Sequence, residues 1–491
     1  MKMSKKPTEN LVLTLLLTAV AAAAGSHRES VIVIGAGISG ISTANALYEA
    51  GIRDILILEG SSRIGGRMMK AEFGGYTVEM GANWFYTGGP VQNPLASLAN
   101  KTRLRTSLND DSNITANVYR QEGGLYPKKL VDEVEMAASS TESFCERLSE
   151  KLAAMSKTKG VDIDVSVLEA QRLFGNLPST PLEMVIDYYH NDYEEAEATT
   201  VTSLKHTYPR REFKDHGKLS NFVCDSRGFE ELVQGLACRF SNRSSQHKIL
   251  PNKVVKEIFY SERGVRVKIE DGSTYRAKYV VVSVSIGVLQ SNLIRFTPTL
   301  PMWKMNAISE FDMSVYTKIF LQFPYKFWPT GPGTEFSLYA HSRRGYYPFW
   351  QHLENEYPGS NILFVTITSE ESTRVEKLSN EAVQREAMDV LRKMYGDHIP
   401  NPEQILVPRW SMDRLYKGSY SNWPNGYTKA KHDQLKARVG SVYFTGEHTN
   451  SRYLGYATGA YLAGIEAAKD VIESMKAEEG LRLSRKIIRI S

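Results

Sequence analysis

The chain has 491 residues, too many for one ordinary hydrophobic core, so we expect two or three domains. Its 42% hydrophobic and 23% charged residues are typical of a globular protein, and its net charge of +5 is small for this length. The chain has no long basic run with interleaved aromatic residues, which argues against a nucleic-acid-binding protein. Three scattered cysteines exclude a disulfide framework and a cysteine metal site, although one bridge stays open among Cys145, Cys224 and Cys238.

The first predicted element is a secretory signal peptide over residues 1–24. Three lysines precede an apolar run at residues 11–24, and small and polar residues follow it. The run is shorter than the ~20 residues of a membrane-spanning helix, so we expect no membrane span. The signal predicts an extracellular protein, with the vacuole as the alternative. Sequons that agree with secretion predict glycans at Asn100, Asn113 and Asn242.

A glycine triplet follows the first buried strand, which is predicted at residues 31–34. The triplet G-x-G-x-x-G consists of Gly35, Gly37 and Gly40, and a helix is predicted at residues 38–50. The first glycine allows a tight turn, the second lets a pyrophosphate approach the backbone, and the third lets the helix pack on the strand. The helix N-terminus would then face the phosphates. This pattern predicts a Rossmann-like dinucleotide site.

Two charged residues extend this site. Glu59 ends the second predicted strand about 20 residues further on, where an acid can accept hydrogen bonds from ribose hydroxyls and disfavours a 2′-phosphate. The segment Arg63-Ile-Gly-Gly-Arg67 follows directly and brings more backbone and a cation to the same cofactor. It resembles the extended flavin-binding signature of the amine oxidase family of flavoproteins. That resemblance implies that Arg67 reaches the pyrophosphate of FAD.

A strand, a loop and a long helix near the C-terminus complete the predicted cofactor site. The strand is expected at residues 442–445 and the helix from about Gly455–Ala457 to about Met475. Its N-terminus would offer free N–H groups and a partial positive charge to the electron-rich end of a flavin. The family resemblance implies FAD contacts for Glu447, Tyr456 and Ala457. It also places Val254, at the start of a predicted β-meander, near the adenine.

These segments predict an α/β fold with two domains. One is a Rossmann-like FAD-binding domain built from discontinuous segments, and the other is an α+β substrate-binding domain. The predicted boundaries are 28–108, 214–295 and 408–475 for the first, 109–213 and 296–407 for the second, and 476–491 for a basic C-terminal tail.

Lys318 lies in the middle of a predicted strand, VYTKIFLQF, at residues 315–323. Both faces of this strand are largely apolar, and desolvating an ammonium is costly. Lys318 therefore either reaches water at a sheet edge or is buried for a chemical reason, and the pattern alone favours the edge.

From about residue 30 to 475 the chain resembles the plant polyamine oxidases, through segments such as DYYHNDYEEAE, DMSVYTKIFLQFP, YSNWP and FTGEHT. The resemblance implies non-covalently bound FAD, oxidation of a secondary amine of spermine or spermidine, dioxygen as acceptor and hydrogen peroxide as product. For a plant protein, the extracellular space is the apoplast. The resemblance implies that Lys318 faces the reactive flavin nitrogen through a water, and that Tyr420 and Tyr456 flank the reacting bond. It implies substrate contacts for Tyr193, Glu194, Tyr316 and Gly455. We expect most other carboxylates of residues 187–197 to be solvated.

Tyr86 marks a departure from the family pattern. In GANWFYTGG it stands where members that cleave spermine terminally have a tunnel glutamate, so we expect Tyr86 at the substrate site without that charge. Ala457 and Thr458 likewise stand where members often have valine and histidine. These changes leave terminal cleavage and back-conversion both open. Two further readings are an amino acid oxidase, which needs a pocket cation, and an amine-binding flavoprotein or dehydrogenase with poor oxygen reactivity.

Overall fold

The computed structural model describes residues 29–160, 162–241 and 248–488. The predicted signal peptide and Asn242 lie outside these residues, whereas Asn100 and Asn113 are both exposed. Within the described part of the chain, no helix combines the length and the apolar character that a membrane span requires. The thiols of Cys145, Cys224 and Cys238 are all free.

The strands, in chain order, are β1 (Glu29–Ile34), β2 (Ile55–Leu58), β3 (Lys70–Phe73), β4 (Tyr76–Glu79), β5 (Trp84–Thr87), β6 (Thr106–Leu108), β7 (Val118–Arg120), β8 (Leu219–Val223), β9 (Lys248–Leu250), β10 (Val255–Ser261), β11 (Gly264–Ile269), β12 (Thr274–Val282), β13 (Arg295–Thr297), β14 (Asp312–Ser314), β15 (Tyr316–Gln322), β16 (Phe336–Ala340), β17 (Phe349–His352), β18 (Ile362–Thr368), β19 (Gln404–Leu406), β20 (Tyr420–Asn422) and β21 (Val442–Phe444).

The α-helices are α1 (Ile38–Glu49), α2 (Pro94–Thr102), α3 (Lys128–Lys159), α4 (Val167–Phe174), α5 (Pro181–His190), α6 (Asp192–Glu195), α7 (Leu204–Thr207), α8 (Arg211–His216), α9 (Glu231–Ser241), α10 (Ile286–Gln290), α11 (Met302–Ser309), α12 (Ser369–Glu376), α13 (Asn380–Tyr395), α14 (Lys429–Lys436) and α15 (Ala457–Ile488).

The largest sheet has eight strands in the order β13-β10-β11-β12-β1-β2-β9, with β21 also paired to β12. Strand β1 runs parallel to both neighbours, with Val31 opposite Ile55 and Tyr279. Its residues are apolar on both faces because α1, α9 and α15 cover one face and the β10–β12 meander packs with α10, α11 and α14 on the other. The predicted Rossmann-like α/β fold is confirmed.

A second sheet of six strands has the order β19-β15-β18-β17-β16-β7. One face of β15, which includes Ile319 and Leu321, packs with α13 in one core cluster. Helices α3 and α5 pack with β16 in another cluster. The division of the chain into a cofactor domain and a substrate domain, with its boundaries, stays a prediction.

Helix α15 is longer than expected. It continues past the predicted end at Met475 to Ile488 and so includes most of the predicted tail. The hydroxyl of Tyr279 on β12 donates to Glu478 at 2.5 Å, and Lys278 forms an ion pair with the same carboxylate. These contacts extend the attachment of α15 to the large sheet beyond the expected helix end.

Arg344 fixes the junction between α5 and α6. Its guanidinium lies 2.6 Å from Asp187 and 2.8 Å from Asp192, and both carboxylates are buried. The expectation that most carboxylates of residues 187–197 are solvated is therefore wrong at these two positions. Glu194, Glu195 and Glu197 are half-buried. Arg344 lies more than 150 residues away in the chain from Asp187 and Asp192. The local sequence around the two carboxylates therefore did not indicate that they are paired and buried.

We predict that Arg344→Gln lowers the free energy of unfolding by about 3 kcal/mol, because two buried carboxylates lose their cation. Urea denaturation followed by circular dichroism measures the change. Arg343→Gln is the matched control, since this neighbouring arginine is 51% exposed and pairs with Glu371. Its cost should stay below about 1 kcal/mol. Equal losses in the two variants would contradict the assignment of Arg344.

Candidate active site

The glycine segment forms a cradle at the carboxyl end of β1. Glu59, buried at the end of β2, accepts a hydrogen bond from the Ala36 amide at 2.7 Å. Its other oxygen accepts from the Ser61 amide at 2.8 Å and hydroxyl at 2.7 Å. Helix α1 starts after Gly37 with no side-chain cap, so its first amides are free to bind a ligand anion.

The close backbone approaches in this cradle need glycine. A Cβ atom on Gly40 would lie 2.0 Å from the Gly35 carbonyl oxygen, so only glycine lets α1 start here. The turn that contains Gly65 and Gly66 lies against the same loop. The Gly65 amide donates to the Ala36 carbonyl at 2.9 Å. The two predicted glycine motifs therefore form one surface.

The half-buried Arg67 and the buried Glu447 form an ion pair of 2.8 Å, although they lie 380 positions apart in the chain. Arg67 also donates to the Ser419 carbonyl at 2.9 Å, and the second oxygen of Glu447 accepts from Ser421 and from the Gly455 amide. Although burial opposes ionisation, Arg67 helps to hold the pKa of Glu447 below its ordinary value. The pair joins the predicted pyrophosphate segment to the C-terminal segment just before α15.

Val254 is half-buried beside the same site. One of its methyl carbons lies 3.8 Å from the position of a Cβ on Gly60, which directly follows Glu59. All the predicted cofactor residues thus belong to two connected groups, one around Glu59 and one around Glu447. The uncapped helix, the glycine cradle and the fixed carboxylate fit a dinucleotide such as FAD. The individual cofactor contacts stay predictions.

Glu194 lies at the centre of a tyrosine cluster. Its carboxylate accepts a hydrogen bond from the Tyr456 hydroxyl at 2.5 Å, and its carbonyl oxygen accepts from the Tyr420 hydroxyl at 2.8 Å. Burial raises the pKa of Glu194 to about 7, against the hydrogen bond from Tyr456 and the positive charge of Arg210. Glu194 therefore changes charge near neutral pH.

The remaining predicted substrate residues lie in the same cluster. The ring centroid of Tyr316 is 5.9 Å from that of Tyr193 and 5.8 Å from that of Tyr420. The Tyr86 ring lies edge-on to Tyr456 at 6.3 Å. These rings keep some accessible surface, yet burial raises the pKa of each predicted substrate tyrosine well above the ordinary value, as in Tyr86 and Tyr193. Together these properties indicate an internal recess.

Helix α6 presents Tyr193 and Glu194 because both of its ends are fixed. Asp192 is bound by Arg344, and Glu195 lies 2.8 Å from the Arg210 guanidinium. Charged pairs at the two ends leave the two central side chains directed to the recess. The sequence did not predict a role for Arg210, because nothing near it in the chain indicated that its side chain would be buried.

Lys318 is buried, so the expectation of an edge position is wrong. Strand β15 lies between β18 and β19, and Lys318 is only 1% exposed. Its ammonium donates to the Gly81 carbonyl at 2.8 Å and to Asn83 Oδ1 at 3.0 Å, and it lies 5.0 Å from the centre of the Trp84 ring. These acceptors compensate part of the desolvation cost, which the strand pattern did not indicate.

Burial lowers the pKa of Lys318 to about 7, against the negative charge of Glu79. Burial likewise raises the pKa of Glu79, which the sequence analysis did not single out. Lys318 and Tyr316 are two residues apart in β15 and so point to the same face of the sheet. The Lys318 acceptor Gly81 precedes Ala82, whose amide donates to the Arg67 carbonyl at 3.2 Å, so Lys318 contacts a turn that is bonded to the cofactor segment. Its proton is exchangeable near neutral pH.

A dinucleotide cradle beside a recess of tyrosines, a carboxylate and a buried lysine defines a flavoprotein oxidoreductase. The chain belongs to the flavin-containing amine oxidoreductase family, whose profile matches residues 38–472. Polyamine oxidase 1 of Zea mays is 50% identical over 94% of each chain. Polyamine oxidase 7 of Oryza sativa subsp. japonica is 49% identical over 95% of this chain and the whole of the relative. The predicted resemblance to plant polyamine oxidases is confirmed.

Solved structures give the same fold at lower identity. A putrescine oxidase variant superposes with a TM-score of 0.73 at 17% identity, over 91% of this chain and 99% of that one. Cyclohexylamine oxidase from Brevibacterium oxydans gives a TM-score of 0.71 at 20% identity, over 91% and 100%. The family assignment also confirms the predicted cofactor, FAD.

We predict that Lys318→Met lowers turnover by at least about a hundredfold, because a proton-exchanging group beside the flavin segments is lost. The FAD content should stay at one per chain, and the step near pH 7 in the turnover profile should disappear. Stopped-flow spectroscopy of the holoenzyme measures both half-reactions.

Lys326→Met is the control for Lys318→Met, because Lys326 is 48% exposed and lies 3.4 Å from Glu354. It should behave as the wild type. If Lys318→Met leaves the rates of flavin reduction and flavin reoxidation unchanged, Lys318 has only a structural role.

Proposed function

We propose that the protein oxidises spermine, spermidine or a close analogue at a secondary amine. Dioxygen is the acceptor, and the products are an aminoaldehyde, an amine and hydrogen peroxide. The observation that carries this proposal is the Glu194 carboxylate inside a recess of tyrosine rings beside Lys318. A linear polycation with methylene spacers needs such a site, with aromatic walls for its chain and a carboxylate for an ammonium. The names of the 48–50% identical relatives support it.

The net reaction takes one secondary amine, one dioxygen and one water to one aldehyde, one primary amine and one hydrogen peroxide. FAD supplies the hydride acceptor when it is bound. The reacting nitrogen must lose a proton, since only a neutral amine can release hydride from its neighbouring carbon. Lys318 is part neutral near pH 7 and can accept or return protons there. Tyr420 and Tyr456, which both hydrogen-bond to Glu194, would hold the substrate chain between them.

For the cleavage position we propose the terminal mode, which yields 1,3-diaminopropane and an aminoaldehyde and is the mode that secretion favours by analogy with the family. One observation favours back-conversion as a second candidate. Tyr86 places a neutral ring, 6.3 Å from the Tyr456 ring, where a charge would fix a substrate nitrogen. Back-conversion would give a smaller polyamine and 3-aminopropanal.

The proposed location is the apoplast, with the vacuole as the alternative. The N-terminal signal sequence supports it, together with sequons at two exposed asparagines, Asn100 and Asn113. Enzymatic deglycosylation of the secreted protein, followed by mass spectrometry, tests both positions.

We predict that spermine and the holoenzyme give hydrogen peroxide together with 1,3-diaminopropane. Mass spectrometry of the small-molecule products, with a peroxide assay on the same sample, measures the outcome. Spermidine with 3-aminopropanal would overturn the terminal mode but keep the polyamine oxidase. Turnover of L-amino acids without turnover of any polyamine would overturn the proposed function.

We predict that Glu194→Gln raises the KM for spermine at least about tenfold, because one charge-assisted contact is lost. The Glu194 carboxylate is ionised above pH 7 and neutral below it, so the wild-type KM should rise as the pH falls through about 7. Glu194→Gln should lack this step. Glu197→Gln, on the same segment and bonded to Ser369, is the control and should keep the wild-type KM and its step. A wild-type profile in Glu194→Gln would remove Glu194 from substrate binding.

A further inference from the structure

Glu212 is a second buried carboxylate close to the tyrosine cluster. It lies in α8, is 1% exposed, and its Oε1 accepts hydrogen bonds from Asn93 Nδ2 and Thr458 Oγ1, both at 3.0 Å. Its Oε2 is buried and has no hydrogen-bond partner among the described residues. A buried carboxylate oxygen without a hydrogen bond lowers the stability of the folded state. We therefore look for a donor of a hydrogen bond to Oε2 outside the described residues, in a bound ligand.

The residues that hold Glu212 also hold the recess. Asn93 Nδ2 donates to the Tyr86 carbonyl at 3.1 Å, and Thr458 follows Tyr456 by two positions at the start of α15. Phe213, next to Glu212, lies edge-on to the Tyr86 ring at 4.7 Å. The Tyr86 ring thus contacts Phe213 on one side and, on the other, Tyr456, which hydrogen-bonds to Glu194.

The charges around Glu212 are mostly negative. Burial and the nearby Glu194 raise the pKa of Glu212 to about 8, and Asp215 adds to the repulsion. Asp215 is itself bound by Arg452 at 2.7 Å. His216 Nε2 lies 3.9 Å from Glu212 Oε2, beyond hydrogen-bond distance, while its Nδ1 faces the Val91 carbonyl at 3.0 Å.

We propose that Glu212 forms a second ammonium subsite, which binds one cationic nitrogen of the substrate while Glu194 binds another. This inference rests on the proposed function. Burial and the charge of Glu194 both oppose the ionisation of Glu212, so the two carboxylates are both ionised at little cost only when cations arrive with the ligand. A polyamine supplies two or more ammonium groups, whereas a monoamine satisfies only one carboxylate. Glu212 would therefore select polyamines over monoamines.

The subsite has a pH signature. Its carboxylate must be ionised to bind an ammonium, so the affinity for a polyamine should rise as the pH rises through about 8. The affinity for a monoamine, which needs only one carboxylate, should lack this step.

The test uses the holoenzyme and two probes, spermine and octylamine. The apparent dissociation constant for spermine comes from the concentration dependence of flavin reduction in stopped-flow experiments under argon, and that for octylamine from its inhibition of this reduction. In Glu212→Gln we expect the affinity for spermine to fall at least about tenfold, and its step near pH 8 to disappear, because one charge-assisted contact is lost. The octylamine affinity should change less than about twofold, since Glu194 is intact. Glu212→Asp, which keeps the charge, should recover part of the spermine affinity.

The outcomes separate this subsite from the function on which it rests. Equal losses for spermine and octylamine, or no loss for either, would make Glu212 a structural residue that binds Asn93 and Thr458, and would overturn the subsite alone. A wild-type holoenzyme that does not respond to spermine at any pH would overturn the proposed function and the subsite together. Should Glu212→Gln not fold, Thr458→Val, which removes one bond to Glu212, should shift the spermine pH step without moving the octylamine affinity. If the pH step of the spermine affinity is the same in Thr458→Val as in the wild type, the subsite is overturned.

Discussion

The site depends on the ion pair between the half-buried Arg67 and the buried Glu447. A buried charge such as that of Glu447 is tolerated only when it is paired, so its contact with Arg67 fixes the two segments against each other. Arg67 follows the glycine cradle, and Glu447 accepts the Gly455 amide just before α15. The pair thereby joins the first and last segments of the cofactor site. Ser419, which Arg67 also contacts, binds the backbone of Tyr316 and extends this connection to the tyrosine cluster.

Charge pairing also determines the properties of the substrate side, where some buried charges are paired and others are not. Arg344 and Arg210 pair the carboxylates at the ends of α6, whereas Glu194 between them forms no ion pair within the described part of the chain. Burial therefore brings its pKa, and that of Lys318, to about 7. A carboxylate that lacks a cation and a lysine that exchanges protons are the two groups that amine oxidation requires from the protein. Both properties result mainly from burial, which the hydrogen bonds of Lys318 and of Glu194 offset only in part.

Local patterns predicted the cofactor half well. The glycine triplet, Glu59 and the strand–helix–strand order are contiguous in the chain, and their spacing is typical of a dinucleotide-binding fold. The substrate half depends on contacts between distant segments. The burial of Lys318 depends on Gly81 and Asn83, and the pairing of Asp187 and Asp192 depends on Arg344. Periodicity within one strand or helix carries no information on such partners, so the edge position and the solvated carboxylates were both wrong, and Glu212 was not foreseen.

The most direct test of the whole account is the reaction of the wild-type holoenzyme with spermine under argon, followed by admission of air. A polyamine oxidase with this site should lose the absorbance of oxidised FAD on mixing and regain it in air with release of hydrogen peroxide. Unchanged absorbance with both spermine and spermidine would contradict polyamine oxidation. Loss of absorbance without recovery in air would contradict dioxygen as the acceptor and select a dehydrogenase.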